Sequence, residues 1–443
     1  MSYYKPLLLI LGLFAIQLAL CLPLSAAPKG SKWRINQPIV WYFAGPGYFN
    51  YVNDLTVSQL VAGGWNLGWA YSRDELDVYH RHGMKALAAI ENMNMSDPAQ
   101  VKLLDAKLVW SDHPATYGYW ICDEPASDKF ENIGKVVAYL RKHDPTKPAV
   151  VNLLPVLAVP DGDAVKAYRA NLKKFINTVK PDVLSYDFYP FMVKGDGVYY
   201  FLNLMLMREA AMKAGIPFIN ITQAIAHENL GYRWPTEPEM RWLSYTTLAY
   251  GGQGLSWYIY NDRLDIPELS GFFADTPDSK IPKPNYWWVC RINRDFEAIA
   301  TQLLPLKSIE AYHVGPHAKL GNLNDDRWKF LKNDIKVDEA AYWARLVERH
   351  IPYGGVELPK GSPFKVGNTH DLLLGCFGKS AKQISHVLVV NLDYRNPVTT
   401  VITGSGLLDI FHSPTSKWIH SPDDNRAKLN LPPGGGILIK LRS

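Results

Sequence analysis

An apolar, aromatic run stops at two acids and a proline in the segment Tyr119-Trp120-Ile121-Cys122-Asp123-Glu124-Pro125. Aromatic and β-branched residues favour a buried β-strand, and proline cannot continue one inside a sheet. A helical period follows at about 128–143, so the segment is typical of one strand followed by one helix. Similar units lie on both sides of it, between about residues 37 and 306.

Eight such units can be recognised along the chain. The predicted strands are 38–44, 65–70, 84–91, 117–123, 148–154, 182–188, 217–223 and 254–260, and the predicted helices lie near 54–62, 72–83, 98–111, 128–143, 164–179, 198–214, 236–250 and 284–303. Strict alternation of strand and helix implies a parallel sheet covered by helices. Eight units in about 270 residues favour a closed (β/α)₈ TIM barrel at 37–306, with an open doubly wound sheet as the alternative.

The pattern changes after Leu306, where the helical period disappears. Short strand-like runs, among them 386–391 and 436–439, are separated by turn residues. Such spacing is typical of antiparallel β structure. We therefore predict a small C-terminal antiparallel β-sandwich at 307–443, with an irregular insertion at about 316–365.

The N-terminus has the features of a signal peptide at residues 1–27. Lys5 supplies a positive charge, residues 7–24 are almost wholly apolar, and Ser25-Ala26-Ala27 offers small residues for cleavage. An uncleaved membrane anchor is the alternative, because about 18 apolar residues can just span a bilayer. We expect a secreted or periplasmic protein with no stable membrane span once the leader is removed.

Composition narrows the class of ligand. The formal net charge is only +5 and the basic residues are scattered, so nothing indicates a nucleic-acid partner. No phosphate-binding loop and no clustered histidines appear, and we expect neither a cofactor nor a metal. The chain contains 14 Trp and 25 Tyr, many of which are expected in the core; such rings also line sugar-binding clefts, so the composition agrees with a carbohydrate partner but does not establish one.

Chemistry in a barrel of this kind takes place at the C-terminal ends of the strands. Most side chains predicted at those ends are polar or aromatic. The candidates are Trp41, Glu91, Trp120, Asp123, Glu124, Asn152, Asp187, Tyr189, Gln223, His227, Trp257 and Tyr260. A carboxylate at such a rim is costly unless it is paired, hydrogen-bonded or solvated, so the acids among them are candidates for function.

Glycosidic cleavage normally needs two carboxyl groups. Glu124 is the preferred proton donor, with helix capping as its alternative, and Asp187 is the preferred second carboxylate, with a purely orienting role as its alternative. Asp123 is expected to position substrate or to support Glu124. Sugar contacts are expected at Gln223, Tyr189, Asn152, His227, Glu91 and Tyr260, and the stacking platforms or core residues are Trp41, Trp120 and Trp257.

Asp123-Glu124-Pro125 resembles the Asn-Glu-Pro motif that carries the acid after strand 4 in a large clan of barrel glycoside hydrolases. The barrel followed by a β-sandwich is similar to family 42 β-galactosidase-like bacterial proteins, as are the segments 184–187 and 235–257. This resemblance implies a glycoside hydrolase with its acid at Glu124. The clan also places a nucleophilic Glu at the end of strand 7, where this chain has Gln223, and an amide cannot serve as that nucleophile.

Three alternatives remain for the missing nucleophile. Asp187 can act as the base of an inverting reaction, which requires carboxyl groups roughly 6.5–9.5 Å apart. The substrate can supply its own nucleophile, as in family 20 hexosaminidases, whose adjacent Asp and Glu are similar to Asp123 and Glu124. Finally, catalysis can be lost, which leaves a catalytically silent carbohydrate-binding barrel.

Overall fold

The structure is a computed structural model that describes residues 28–156, 162–193, 196–197, 199–263, 269–273, 281–316, 356–367 and 369–442. The predicted signal peptide lies outside the described residues, as does most of the predicted insertion at 316–365. Two short strands, Val356–Glu357 and Phe364–Val366, lie at the described end of that insertion.

The described residues form eight parallel strands that alternate with eight helices, and the predicted (β/α)₈ barrel is confirmed. The strands are β1 Ile39–Phe43, β2 Leu67–Ala70, β3 Lys85–Ala89, β4 Thr116–Cys122, β5 Ala149–Leu153, β6 Leu184–Asp187, β7 Phe218–Gln223 and β8 Gly254–Tyr258. The helices are α1 Asp54–Ala62, α2 Arg73–Arg81, α3 Pro98–Leu108, α4 Phe130–His143, α5 Gly162–Val179, α6 Tyr200–Ala214, α7 Glu237–Ala249 and α8 Pro284–Leu303.

Sheet hydrogen bonds run in order from β2 through β8 and on to β1. The circle is completed between β1 and β2 by Asn66. Its side-chain oxygen accepts from the Val40 N–H at 2.9 Å, its backbone N–H donates to the Val40 carbonyl at 3.0 Å, and its amide donates to the Pro38 carbonyl at 2.9 Å. One side chain thus supplies part of the pairing that a regular ladder would provide.

Local signals explain several helix boundaries. The Ser72 hydroxyl accepts from the Glu75 N–H at the start of α2, and Thr236 with Glu239 forms a capping box at the start of α7. Gly215 ends α6 with φ of 67°, a left-handed conformation that glycine adopts without steric cost.

Large aromatic rings fill the upper interior of the barrel. The Trp69 and Trp120 rings stack with centroids 4.9 Å apart, and the Trp41 ring lies beneath them at 5.5 and 5.7 Å. All three side chains are buried. This aromatic layer forms a solid floor beneath the strand ends, since the interior of such a barrel is a packed core and not a pore.

The C-terminal strands form two sheets, as the sandwich prediction requires. They are β9 Lys307–Val314, β10 Val356–Glu357, β11 Phe364–Val366, β12 Leu372–Ser380, β13 Gln383–Asn391, β14 Val398–Gly404, β15 Leu407–His412, β16 Lys417–His420, β17 Arg426–Leu431 and β18 Gly436–Arg442. The larger sheet has the order β10-β9-β12-β13-β18-β15-β16 and the smaller β11-β14-β17. Pairing is antiparallel except between β9 and β10. Apolar side chains from both sheets share one core.

The sandwich packs closely against α7. A Cβ at Gly375 of β12 would lie 2.5 Å from the Ala249 backbone, so only glycine permits this approach. The Arg208 guanidinium forms an ion pair with Glu310 at 2.7 Å across the same boundary. In the described part of the chain, no helix combines the length and the apolar character needed to cross a membrane.

Candidate functional site

A cavity of about 1000 Å³ opens at the C-terminal ends of the barrel strands. Its wall brings together many residues that the sequence nominated. These are Glu91, Trp120, Asp123, Glu124, Asn152, Asp187, Tyr189 and His227. They come from strands distant in sequence, and the parallel barrel brings their ends to one rim.

The backbone is strained at three positions of this rim. Ala44, Asn92 and Glu124 have φ of 47°, 54° and 39°, and all three line the cavity. A non-glycine residue held in this region costs about 1–3 kcal/mol, and such residues cluster at functional sites. The Glu124 N–H donates to the Asn152 carbonyl at 3.0 Å, which fixes the strained turn after β4.

The Glu124 and Asp187 carboxyl groups are hydrogen-bonded to each other. Burial and the negative charge of Glu124 raise the pKa of Asp187 well above its usual range. Burial and the charge of Asp123 also raise the pKa of Glu124, which the hydrogen bond from Asp187 partly offsets. Of the two carboxyl groups, the more deeply buried Asp187 has the more strongly raised pKa.

This contact differs from the spacing expected if Asp187 is the base of an inverting reaction. A base in an inverting reaction should stand roughly 6.5–9.5 Å from the acid, to leave space for water. Two carboxyl groups that share a hydrogen bond leave no such space. Asp187 faces the Glu124 carboxyl and not the barrel wall.

Asn152 connects the acids. Its side-chain nitrogen donates to Asp123 Oδ1 at 2.9 Å and to Asp187 Oδ1 at 2.8 Å, and its oxygen accepts from the Ser185 hydroxyl at 3.1 Å. Both amide hydrogens are thus used within the protein. Asn152 was expected to hold a sugar hydroxyl, and the structure instead makes it a positioning residue for two acids.

Two further acids, Asp123 and Glu91, face the cavity. Burial is the main reason that the pKa of Asp123 is raised, and the charge of Glu91 adds to it. Glu91 Oε1 accepts hydrogen bonds from the Tyr71 hydroxyl at 3.0 Å and from the Trp120 indole at 2.9 Å. Trp120 is 1% exposed, so its ring offers little open surface to a sugar.

Aromatic residues outside the expected sugar contacts and stacking platforms form much of the wall. Tyr258 stacks on Tyr189 with centroids 5.3 Å apart, and Trp69, Tyr48 and Tyr232 also line the cavity. Trp69 lies at the end of β2, a strand end at which no candidate was chosen. The rule that functional side chains lie at the C-terminal ends of barrel strands would have identified Trp69.

Trp41 and Trp257 are core residues, which is one of the two roles predicted for them, and Tyr260 is corrected from a sugar contact to a core residue. Trp257 is 0% exposed, and its indole donates to Asn293 of α8 at 2.8 Å, on the outer side of the barrel. Successive strand residues face opposite sides, so Tyr258 is the one that faces the cavity. Tyr260 is 1% exposed and packs on Tyr42, while Trp41 lies beneath the aromatic floor.

Gln223 is also corrected, because its amide is fully engaged. Its nitrogen donates to the carbonyls of Phe191, Ile225 and Arg233 at 2.9, 3.3 and 2.9 Å, and its oxygen accepts from the Phe191 N–H at 2.7 Å. The side chain is 0% exposed and ties two loops together. It therefore has no free donor for a sugar hydroxyl.

The sandwich reaches this site through Tyr394. The Tyr394 hydroxyl donates to Asp196, which lines the cavity and also pairs with Arg233 at 3.0 Å. In the described ranges, no group of three or more His, Cys, Asp or Glu residues is arranged to hold a metal ion.

Comparison with solved structures finds the same architecture in known enzymes. A GH42 β-galactosidase from G. stearothermophilus has a TM-score of 0.53 at 8% identity, covering 92% of this chain and 99% of that chain. A β-galactosidase from Bacillus circulans sp. alkalophilus has a TM-score of 0.53 at 9% identity, with the same coverages of 92% and 99%. At these identities the likeness shows the fold alone, and at that level the resemblance to barrel glycoside hydrolases is confirmed.

Other matches are partial. The chain spans about half the length of a GH2 β-galacturonidase from Eisenbergiella tayi, with a TM-score of 0.43 at 17% identity, covering 58% of this chain and 51% of that chain. That score is too low to add to the comparison. No protein-family model matches the chain, and no curated protein matches it in sequence.

Proposed function

We propose that this chain is a glycoside hydrolase whose proton donor is Glu124. The observation that carries the proposal is the hydrogen-bonded Glu124–Asp187 pair in an aromatic-lined cavity at the strand ends. A general acid works best when its pKa lies near the working pH, and burial raises the pKa of both carboxyl groups in that direction. The chain also shares its fold with known glycoside hydrolases, and this analogy adds support for the cleavage of glycosidic bonds.

In the proposed reaction the pair gives one proton to the glycosidic oxygen. The proton shifts from Asp187 to Glu124 along their hydrogen bond, and Glu124 passes it to the leaving oxygen as the bond from C1 to that oxygen breaks. The bonding electron pair leaves with the oxygen. Water then adds to C1, and the proton that this water loses returns to a carboxylate of the site.

The second carboxyl that glycosidic cleavage requires comes from Asp123 or Glu91 in this proposal. Both face the same cavity, and Gln223 has neither the charge nor the freedom to act. Separate Asp123→Asn and Glu91→Gln variants distinguish them. The variant that has lost the second carboxyl should regain turnover with added azide, because a small anion can replace a missing carboxylate.

A substrate-assisted route remains the second candidate, since the described residues show no acid at the end of β7. In that route Asp123 orients an acetamido group of the substrate, and only N-acetylated glycans are cleaved. Cleavage of glycans without that group contradicts it.

The direct test is release of reducing ends from a broad panel of oligo- and polysaccharides. Wild type should cleave at least one glycan, and Glu124→Gln should lower that rate by about 100- to 10,000-fold. Glu297→Gln is the matched control, because Glu297 is exposed on α8 and does not line the cavity. If wild type binds glycans but cleaves none, the chain is a silent carbohydrate-binding barrel.

We also propose that the protein is exported, to the periplasm or out of the cell, on the strength of the apolar segment at 7–24 and the small residues that follow it. Expression of the full chain with cell fractionation tests this. A mature protein that begins near residue 28 supports export, and an intact chain in the cytoplasm contradicts it.

A further inference from the structure

Two loops form one side of the cavity wall. The first follows β6 and is described at 188–193 and 196–197, and the second follows β7 and runs from 224 to 233. Among the residues that they place in the wall are Tyr189, Met192, Asp196, His227 and Tyr232. Part of the surface available to a glycan therefore belongs to these loops and not to the strands themselves.

Hydrogen bonds join the two loops to each other. The Arg233 N–H donates to the Phe191 carbonyl at 3.2 Å, and the Val193 N–H donates to the Gly231 carbonyl at 2.9 Å. The Gln223 amide bonds to Phe191 and to Arg233 as well. The two loops thus form one unit, which we call the paired loops, and a shift of one moves the other.

Asp196 is the point at which the paired loops meet the sandwich. Its Oδ1 pairs with the Arg233 guanidinium at 3.0 Å, and its Oδ2 accepts from the Tyr394 hydroxyl. Burial and the charge of Asp196 raise the pKa of Tyr394, so this hydroxyl stays protonated and donates. Arg233 is itself held by Glu239, at the start of α7, through bonds of 2.7 and 2.9 Å. The Asp196 carboxylate is therefore fixed from two sides while it lines the cavity.

Tyr394 is held by packing of its ring. It lies between β13 and β14 and is 6% exposed. Its ring meets those of Phe191 and Trp242 edge to face, with centroids 5.7 and 5.8 Å away. Because Phe191 belongs to the paired loops and Trp242 to α7, the ring is fixed by the barrel. Its hydroxyl is consequently aimed at Asp196, and loss of the hydroxyl alone leaves the ring contacts in place.

We propose that Asp196 binds a hydroxyl of the glycan and that Tyr394 is its positioning residue, so that the sandwich sets the affinity of the barrel for its substrate. This inference rests on the proposed function of the cavity and deepens it. A carboxylate has about four acceptor sites, and the described bonds to Tyr394 and Arg233 use two of them. These bonds also fix the carboxylate in advance, so a glycan does not have to order it on binding.

The test compares full-length Tyr394→Phe with wild type on the best glycan of the panel. KM should rise about tenfold, because a hydrogen bond to a charged group is lost. The value of kcat should stay within about twofold, since Tyr394 does not line the cavity and acts on Asp196 and not on the acid pair. Tyr312→Phe is the matched control, because Tyr312 is a partly buried tyrosine of β9 that does not line the cavity.

A double-mutant cycle shows whether Tyr394 acts through Asp196. Asp196→Asn alone should raise KM about tenfold or more. Adding Tyr394→Phe to it should change KM little further, because a positioning residue loses its effect once its target is altered. Titration of the same glycan into full-length Glu124→Gln protein, with and without Tyr394→Phe, should show the same loss of affinity when cleavage is suppressed.

Four results overturn the inference: wild-type KM in Tyr394→Phe, wild-type KM in Asp196→Asn, effects of the two substitutions that add in full, or binding of no glycan. The Asp196→Asn result decides the matter if Tyr394→Phe does not fold. Hydrolysis by wild type with unchanged KM in Tyr394→Phe leaves the proposed function intact and removes only the role of the sandwich. Weaker titrated binding in Tyr394→Phe without hydrolysis by wild type does the reverse.

Discussion

Gln223→Glu places a carboxyl group where the clan of barrel glycoside hydrolases has its nucleophile. In this chain the position is occupied by a buried amide that donates to the carbonyls of Phe191, Ile225 and Arg233. A carboxylate has no hydrogens to donate and would face those carbonyl oxygens directly. We therefore expect the substitution to damage the fold without creating a nucleophile.

The contacts set the size of the effect. When protonated, the introduced carboxyl group retains one donor and loses at least one hydrogen bond, which costs about 1–3 kcal/mol when a buried acceptor is left unpaired. When ionised, it is also a buried charge without a partner, for which the cost rises to about 3–5 kcal/mol. Folding raises the pKa of such a group, so the loss of stability grows as pH rises above the pKa of an unfolded Glu.

Thermal unfolding at acidic and neutral pH measures this difference, together with activity on the best glycan of the panel. The melting temperature of Gln223→Glu should fall at both pH values, by about 5 °C or more at neutral pH. Gln383→Glu is the control, because Gln383 is exposed on the sandwich. If Gln223→Glu is as stable as wild type at neutral pH, or if it gains hydrolytic activity, the view that the Gln223 amide ties two loops together is refuted.

Other predictions concern the acid pair and the strand register. Asp187 has a raised pKa in the folded state, so wild type should lose stability relative to Asp187→Asn as pH rises from about 3.9, the pKa of an unfolded Asp; melting curves that differ equally at all pH values contradict this. Asn152 lowers the pKa of Asp187 through its hydrogen bond, so Asn152→Ala should slow hydrolysis and move the pH–rate profile upward. A slower rate with an unmoved profile would assign Asn152 to packing alone. Trp257→Phe removes the indole bond to Asn293 and should cost about 1–3 kcal/mol, with glycan affinity unchanged in titration; a weakened affinity would return Trp257 to the cavity.

Much of the fold could be predicted because hydrophobic period and turn residues are local signals. Gly215 illustrates this, since a glycine between a helical period and an apolar run correctly marked the end of α6. The closure of β1 onto β2 through Asn66 could not be predicted in the same way. This closure depends on one side chain that reaches the neighbouring strand, and the hydrophobic periodicity of the sequence does not indicate such a contact.

The site was predictable to the level of strand ends but not to that of individual side chains. Glu124 and Asp187 were brought together as expected, because both follow strands that end at one rim. Trp257 was predicted at the cavity, but its neighbour Tyr258 lies there instead. A shift of one residue along a strand moves the side chain to the opposite face of the sheet. The backbone at Glu124, which carries one of these carboxyl groups, has a φ of 39°, and sequence patterns carry no information on that angle.

The central claim is that Glu124 gives its proton to the leaving oxygen. The most direct measurement compares Glu124→Gln with wild type on two substrates that share a sugar and differ in the leaving group. With an ordinary sugar leaving group the variant should be slower by about 100- to 10,000-fold, and with a dinitrophenolate leaving group, which departs without protonation, it should approach the wild-type rate. An equal loss on both substrates would contradict the account, because a proton donor matters only where the leaving oxygen needs a proton.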